Sequence, residues 1–417
     1  MNTILWMDPD QTGIVCGTAK GEWLVQASAL NQALTPTSIQ AHRAMKHKCA
    51  NIEPARTGLT LCAVQAGKRS LLEFFPDVYS GKFGADNMAE DAKHLTKGNI
   101  AELAFTAELT PVIWIRKEDG TLVGVTYRRK TLSSSQRAEI RGWHRHTLGS
   151  GRLVEYISPG PSVGGVLDAL TMVTNDTASG VRHIEALNDI LDEGSTLAQA
   201  AYLDDAVTPT AVAVSLVTPV PYGGVTLYGL WPLNGKTVTA WLGGLDCGDY
   251  LVTNGVITVP FGDGVSGGTA KGMFTAAFVA TGVTGLGDVM FTGTMPALVG
   301  FSYNSDGQIV RPSLPAESGA RNGPAFGKKR RNHQYAIQVE GTQGVSIGTT
   351  FATTRLKAAL FKSDGGKAYR LSQQFSGIWW DTIVDDESFD GMICWRVSRP
   401  YICNIAAIGG FIHTEDK

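Results

Sequence analysis

Charged side chains are scarce in this sequence. Asp, Glu, Lys and Arg make up 18% of its 417 residues, against a usual share of about 25%. The 36 basic and 38 acidic residues nearly cancel and leave a net charge of -2. A protein that grips the phosphates of a nucleic acid is usually basic. The composition therefore argues against nucleic-acid binding by the chain as a whole.

Paired cysteines and long apolar runs are also missing. None of the six cysteines forms a CxxC pair, which argues against a zinc ribbon, and we expect free, buried thiols in a reducing compartment. No stretch approaches the ~18 apolar residues of a membrane helix, so we predict no membrane segment. The first residues have no basic region and soon reach Asp8 and Asp10, which argues against a signal peptide. The cysteines are Cys16, Cys49, Cys62, Cys247, Cys394 and Cys403.

Catalytic motifs are missing too. The sequence has no GxSxG elbow, no HExxH pair and no Rossmann fingerprint. The glycine-rich string FGDGVSGGTAKG at 261–272 lacks the lysine-serine or lysine-threonine end of a phosphate-binding loop. We therefore predict that the protein is not an enzyme and uses no cofactor and no metal.

Glycine, by contrast, is abundant: 49 residues, well above the usual ~7%. Short apolar runs alternate with turns, most clearly in PVIWIRKEDGTLVGVTYRRK, where Asp119-Gly120 separates two strand-like segments. Such units recur every ~40–50 residues over 1–190, the spacing of one propeller blade per repeat. We predict a mainly β fold with few helices and a propeller-like platform of antiparallel blades. A sandwich of unrelated hairpins is the alternative.

The composition divides the chain into three segments. Residues 1–200 are predicted to form the first part of the platform. Residues 204–285, almost free of Lys and Arg, are predicted to form a small Gly/Val/Thr-rich β domain. Residues 286–417 are predicted to form a β segment that returns to the platform. Helices are predicted at 85–95 and 183–194, whereas 38–50 fits either a helix or an irregular strand. The last apolar segment, 391–413, is predicted as a hairpin-like pair of runs, with Pro400 between them at the turn or at an edge.

Two short strings contain aromatic or ligand-type residues. In Trp143-His144-Arg145-His146, a strand would project both histidine rings to one face. No third ligand accompanies them, so a strand with Trp143 in the core is favoured over a metal site. Cys394 is likewise favoured as a buried residue over a nucleophile, as is Cys403.

An acidic cluster follows Trp379 and Trp380. Paired carboxylates cleave glycosides, and tryptophan rings stack on sugars, but acidic runs are also common on solvated loops, which is the favoured interpretation. The cluster comprises Asp381, Asp385, Asp386, Glu387 and Asp390.

A basic cluster lies in GKKRRNHQY. For Lys328, Lys329, Arg330 and Arg331 we favour a subunit contact or intramolecular pairing over a nucleic-acid patch.

Several strings together resemble a known family. They are GTAKGEWLVQASALNQALTPTSIQAHRAMKHKCANIEPARTGLTLCAVQAGKRSLLEF, LTKGNIAELAFTAELTPVIWIRKEDGTLVGVTYRRK with its trailing WHRH, RNGPAFGKKRRNHQYAIQVEGTQGVSIGT and FSGIWWDTIVDDESFDGMICWRVSRPYICNIAAIGGF. In this order they resemble podovirus-type tail nozzle proteins, also called tail tubular protein B. The resemblance covers most of 1–200 and 310–412.

The resemblance implies a structural virion protein, made in the host cytoplasm and located in the tail. It implies a hexameric tube at the distal end of the tail, through which DNA is ejected. The implied partners are further copies of the chain, other tail proteins such as the adaptor and fibres, and the passing DNA in transient, non-specific contact. No active site is implied.

A channel for DNA should not attract phosphates strongly. We therefore predict that Asp385, Asp386 and Glu387 face the channel or its mouth, and that Lys328 to Arg331 lie at a subunit contact. The alternatives are a glycan-binding or glycan-cleaving tail protein that contacts the host surface, and a host β-propeller scaffold.

Overall fold

The fold is mainly β, as the sequence predicts. The computed structural model describes residues 2–10, 13–29, 32–58, 60–77, 82–90, 92–108, 110–129, 138–162, 167–187, 202–217, 222–260, 279–283, 289–292, 296–311, 329–361, 374–381 and 391–414. These ranges contain many strands, two short 3-10 helices (Gly149–Gly151 and Trp231–Leu233) and no α-helix. They therefore contain no helix suited to crossing a membrane. The chain divides into two compact units, Met1–Ile190 and Leu191–Lys417.

In the described part of the first unit, the strands form four antiparallel sheets that follow one another along the chain. Within each sheet the strands pair in chain order. Sheet 1 contains β1 (Ile4–Asp10), β2 (Gly13–Thr18), β3 (Gly21–Ala27) and β4 (Ile39–Met45). Sheet 2 contains β5 (Ala55–Thr57), β6 (Thr60–Val64), β7 (Leu71–Asp77) and β8 (Lys82–Asn87). Sheet 3 contains β9 (Ile100–Thr106), β10 (Val112–Lys117), β11 (Leu122–Arg129) and β12 (Ala138–His146), and sheet 4 contains β13 (Leu153–Pro161), β14 (Asp168–Asn175) and β15 (Arg182–Ala186).

The recurrence of strand units predicted over 1–190 is present. The sheets begin at Ile4, Ala55, Ile100 and Leu153, close to the ~40–50 residues expected of one blade per repeat. The hairpin predicted at Asp119-Gly120 is β10–β11, with Arg116 paired to Leu122. Gly120 has φ of 76°, a conformation that glycine adopts without steric cost. No closed barrel or propeller is evident among the described strands, so the propeller-like platform stays a prediction.

Each of these sheets packs face to face on the next. Sheets 1 and 2 share a core that includes Trp6, Val15 and Phe74. Sheets 2 and 3 share a second core, and sheets 3 and 4 share a third that includes Trp114 and Leu170. Alternate side chains of a strand point to opposite faces, so sheets 2 and 3 have apolar residues on both faces. Strands β6 and β10 accordingly contain continuous buried apolar runs, Leu61–Val64 and Val112–Ile115.

Sheets 2 and 3 are also joined by a buried polar contact. The hydroxyl of Tyr127 donates to Oε1 of Glu73 at 2.6 Å and lies 2.8 Å from Oγ1 of Thr60. Glu73 is fully buried. A buried carboxyl group needs such partners because burial without hydrogen bonds is costly.

In the described part of the second unit, the strands form two pairs of sheets. Sheet 5 contains β16 (Asp204–Val207), β19 (Thr237–Leu242), β20 (Leu245–Leu251) and β24 (Ala297–Phe301). Sheet 6 contains β17 (Ala211–Val217), β18 (Tyr222–Tyr228), β21 (Val256–Pro260), β22 (Val279–Val283) and β23 (Val289–Thr292). Sheet 7 contains β25 (Ser305–Gln308), β27 (Ser346–Gly348), β28 (Leu356–Ala358) and β30 (Cys394–Val397). Sheet 8 contains β26 (Arg330–Thr342), β29 (Phe375–Asp381) and β31 (Asn404–Thr414).

Each pair of sheets forms a sandwich. Sheets 5 and 6 enclose a core that includes Leu227, Val238 and Val299. Sheets 7 and 8 enclose another, with Ile337 and Ile347 at its centre. Interdigitating side chains from two inner faces are the usual core of such a packing.

The predicted helices are wrong wherever the structure describes them. Residues 182–186 form β15, with Ile184 paired to Val173 of β14, and 188–194 lie outside the described residues. At 85–95, β8 continues to Asn87, and the chain then makes turns in which Leu95 N–H donates to the carbonyl of Ala92. Residues 39–45 form β4, which resolves the choice left open at 38–50. Pairing with a neighbouring strand outweighs the local helical spacing in such segments.

The predicted C-terminal hairpin is also wrong. β30 pairs with β25 and β27 in sheet 7, whereas β31 pairs with β26 in sheet 8. The segment around Pro400 crosses from one sheet of the sandwich to the other. Two adjacent apolar runs indicate strands but do not specify their partners.

Candidate functional site

The basic cluster falls at the start of a long strand. Lys328 lies outside the described residues, and Lys329 is half-buried just before β26. Arg330 and Arg331 begin β26, where they pair with Thr414 and His413 of β31. Their assignment to a subunit contact stays a prediction.

Most of the acidic cluster lies outside the described residues. Strand β29 ends at Asp381, and the next described residue is 391. Asp385, Asp386, Glu387 and Asp390 all belong to this gap, and the proposed channel-facing role of the first three stays a prediction. The glycine-rich string at 261–272 lies outside the described residues as well.

Trp379 and Trp380 point to opposite faces of β29. The Trp379 ring packs in the core, with its centroid 5.9 Å from that of Tyr335 and 6.5 Å from that of Phe361. Trp380 is 55% exposed. Because neighbouring residues of a strand alternate between faces, the two rings do not form one sugar-stacking surface.

His144 and His146 do share one face of β12, as predicted. His144 Nδ1 lies 2.7 Å from His146 Nε2, and both rings contact Trp114, at centroid distances of 5.8 and 5.2 Å. The Trp114 indole N–H donates to Oγ1 of Thr106 at 3.0 Å. Trp143 packs against the core between sheets 2 and 3.

The electrostatics of this pair favour neutral rings. Burial lowers the pKa of His144 below its ordinary value. Burial, together with the neighbouring His144, lowers the pKa of His146 to about 4. No group of three or more His, Cys, Asp or Glu side chains placed to hold a metal ion occurs in the described ranges. The pair fits a packed polar contact at the edge of sheet 3.

The cysteines are unpaired, as predicted. All six are free thiols, and Cys16, Cys49, Cys62 and Cys394 are buried. Burial raises the pKa of Cys49 to about 12 and that of Cys403 to about 11. Such thiols are poor nucleophiles because the thiolate is the reactive form.

A polar cluster around Arg399 was not predicted from the sequence. Arg399 Nε donates to Oδ2 of Asp246 at 2.6 Å, and Nη1 lies 2.9 Å from both carboxylate oxygens of Asp249. The Tyr401 hydroxyl donates to Asp246 at 3.3 Å, and Thr239 donates to Asp249 at 2.6 Å. The cluster ties β20 of one sandwich to the segment after β30 of the other.

No local sequence pattern predicts this cluster. Arg399 lies 150 residues from Asp249 in the sequence. The two aspartates in LDCGDY and the arginine before Pro400 are each unremarkable alone. These residues form a cluster only because tertiary packing brings the two sandwiches together.

A cleft of about 380 Å³ lies beside the Arg399 cluster. Four aromatic side chains contribute to its wall, together with Asp306 and Asn404. The aromatic residues are Tyr202, Tyr303, Trp395 and Tyr401.

Comparison with known proteins adds no relative: no protein-family model matches the chain, and a search of curated proteins found no match. The resemblance to tail nozzle proteins therefore depends on the quoted strings alone.

Proposed function

We propose that this chain is a structural subunit of a phage tail, located at the nozzle, where a hexameric ring of copies forms the channel for DNA ejection. The stacked sheets of Met1–Ile190 are the observation that carries the proposal. Meander sheets that pack face to face in chain order are the arrangement of propeller blades. In this proposal they are part of a propeller-like platform.

The outer faces of this stack also support an oligomer. On sheet 4, Tyr156, Val173 and Ile184 form a row across the three strands, with Ile184 82% exposed. On sheet 1, Met7 is 63% exposed on the face opposite Trp6. Contiguous exposed apolar rows are typical of surfaces that bind another protein.

Two measurements test the proposal. Antibody-gold labelling of intact virions should mark the tail tip, and electron microscopy of the purified protein should show six-fold rings. Absence from virions, with the epitopes shown to be accessible on the free protein, would overturn it.

A pair of variants tests the role of the sheet 4 face. Ile184→Arg places a charge on the exposed row and should reduce ring formation, measured by light scattering after gel filtration. Thr147→Arg adds the same charge at an exposed position outside that face and should leave assembly unchanged. If the two variants form rings to the same extent, the exposed face of sheet 4 is not part of the subunit interface.

Trp379 and Trp380 do not support the glycan-binding or glycan-cleaving alternative. The rings point to opposite faces, so that no paired platform supports it there.

A further inference from the structure

The cleft beside Arg399 has aromatic walls whose rings do not stack on one another. Tyr202 precedes β16 and Tyr303 follows β24, whereas Trp395 lies in β30 and Tyr401 follows it. No aromatic contact joins any two of these rings in the described structure. Tyr303 is 40% exposed. Ring surface is therefore available to a ligand.

Trp395 is held in place by a glycine. Its partner across the strands is Gly307 of β25, and a Cβ at that position would collide with the indole ring. The ring thus lies directly against the Gly307 backbone, an approach that only glycine permits. A ring fixed before binding loses little conformational entropy when a ligand stacks on it.

The charges in and around the cleft are already paired. Arg396 forms two hydrogen bonds of 2.6 Å with the carboxylate of Asp306. Arg399 is engaged by Asp246 and Asp249. A phosphate would compete with carboxylates for these guanidinium groups, and an ammonium group would compete with guanidinium groups for the carboxylates. The wall therefore favours an uncharged ligand.

Tyrosine side chains add hydrogen-bonding capacity to the wall of the cleft. Tyr202 and Tyr303 both line the cleft, and a tyrosine hydroxyl can both donate and accept a hydrogen bond. The cleft volume falls within the ~300–1,000 Å³ typical of small-ligand sites, which combine apolar walls with a few polar groups.

We propose that this cleft binds a neutral hexopyranose unit of a glycan. A pyranose presents an apolar C–H face, which stacks on an aromatic ring, and a rim of hydroxyls, which bond to tyrosine hydroxyls and carboxylate oxygens. It carries no charge that would disturb the Arg396 and Arg399 pairs. The proposal is independent of the tail assignment, since it depends on Leu191–Lys417 alone.

The test is saturation-transfer NMR and calorimetry on the full chain. The probes are maltotriose, lactose and mannotriose, with choline and inorganic phosphate as charged comparisons. At least one neutral saccharide should bind with a Kd of about 1 mM or tighter. Trp395→Ala and Tyr303→Ala should each weaken binding about tenfold or more.

Trp380→Ala is the matched control, because it removes an exposed indole from a different sheet of the same unit and should leave binding unchanged. Circular dichroism checks that each variant folds. If Trp395→Ala unfolds, the binding measured for Tyr303→Ala tests the proposal, because Tyr303 is half-exposed and its loss should leave the fold intact. The proposal fails if none of the three saccharides binds, if choline or phosphate binds instead, or if Trp380→Ala weakens binding as much as Tyr303→Ala. Ring assembly is measured separately, so either proposal can fail alone.

Discussion

The indole ring of Trp6 lies across the backbone of Gly17, its partner on the neighbouring strand β2. A Cβ at Gly17 would collide with the ring, although the glycine is not in a left-handed conformation. The same cross-strand relationship joins Phe75 to Gly84, His144 to Gly124 and Trp395 to Gly307. Part of the glycine content thus allows aromatic rings to lie flat on a sheet, in addition to forming turns.

Gly17→Ala should destabilise the first unit by about 1–3 kcal/mol, because Trp6 is 7% exposed in the core and has little room to move. Urea unfolding measures the change. Gly142→Ala is the control, since nothing lies within 4 Å of its added Cβ; it should change the free energy of unfolding by less than about 0.5 kcal/mol. Equal losses for the two variants would contradict the steric account.

Tyr127→Phe should lower the free energy of unfolding by about 1–3 kcal/mol, because Glu73 loses a hydrogen-bond donor in a fully buried position. Chemical denaturation again provides the measurement. Tyr156→Phe removes a hydroxyl from a ring that is 63% exposed and should be nearly neutral. If Tyr127→Phe leaves the free energy of unfolding unchanged, the contact with Glu73 does not contribute to stability.

Acid should weaken the fold through His146. Its pKa is lowered from an ordinary 6.5 to about 4 by burial and by His144, so between these pH values the unfolded chain binds more protons than the folded chain. Stability therefore falls as the pH drops through this window. Because the ring is only half-buried, we expect His146→Gln to remove about 1–2 kcal/mol of this dependence.

The measurement is the free energy of unfolding at pH 7, 6, 5 and 4, taken as the slope between neighbouring points. His42→Gln, at an exposed position, should leave the slope unchanged. An unchanged slope in His146→Gln would show that another group controls the acid sensitivity.

Arg399→Ala should destabilise the second unit by about 2–4 kcal/mol, because it leaves Asp246, with a side chain 10% exposed, without its guanidinium partner. Hydrogen bonds from Thr239 and Arg399 outweigh burial and lower the pKa of Asp249. The loss should therefore be largest near neutral pH and shrink as the pH falls and the carboxylates are protonated.

Arg182→Ala provides the comparison for this prediction. It breaks an ion pair with Glu155 in which the arginine side chain is 62% exposed, and it should destabilise the protein far less than Arg399→Ala does. Thermal unfolding of both variants tests the contrast. Comparable losses would mean that the Arg399 cluster behaves as an ordinary surface pair.

What the sequence predicted well was local. Asp119-Gly120 between two alternating runs is sufficient for the β10–β11 hairpin, because the turn and both strands lie within twenty residues. The period-two rule likewise places His144 and His146 on one face. The same rule places the rings of Trp379 and Trp380 on opposite faces of β29.

The failures share a physical cause. Ile184, Leu187, Ile190 and Leu191 have helical spacing, yet Ile184 lies in a strand because β14 offers a partner for its backbone. The runs on either side of Pro400 look like a hairpin, yet each finds its partner in a different sheet.

By itself, the sequence determined that this protein is mainly β, that its first 190 residues repeat a strand unit, and that its thiols stay unpaired, because alternation, turn residues and cysteine spacing are local properties. The tertiary structure alone decided which strands share a sheet, that successive sheets stack face to face, and that Arg399 meets Asp246. It also decided that four distant aromatic residues line one cleft. The hydrogen bonds of the Arg399 cluster join residues up to 155 positions apart. Such partners are selected by packing, on which local sequence carries no information.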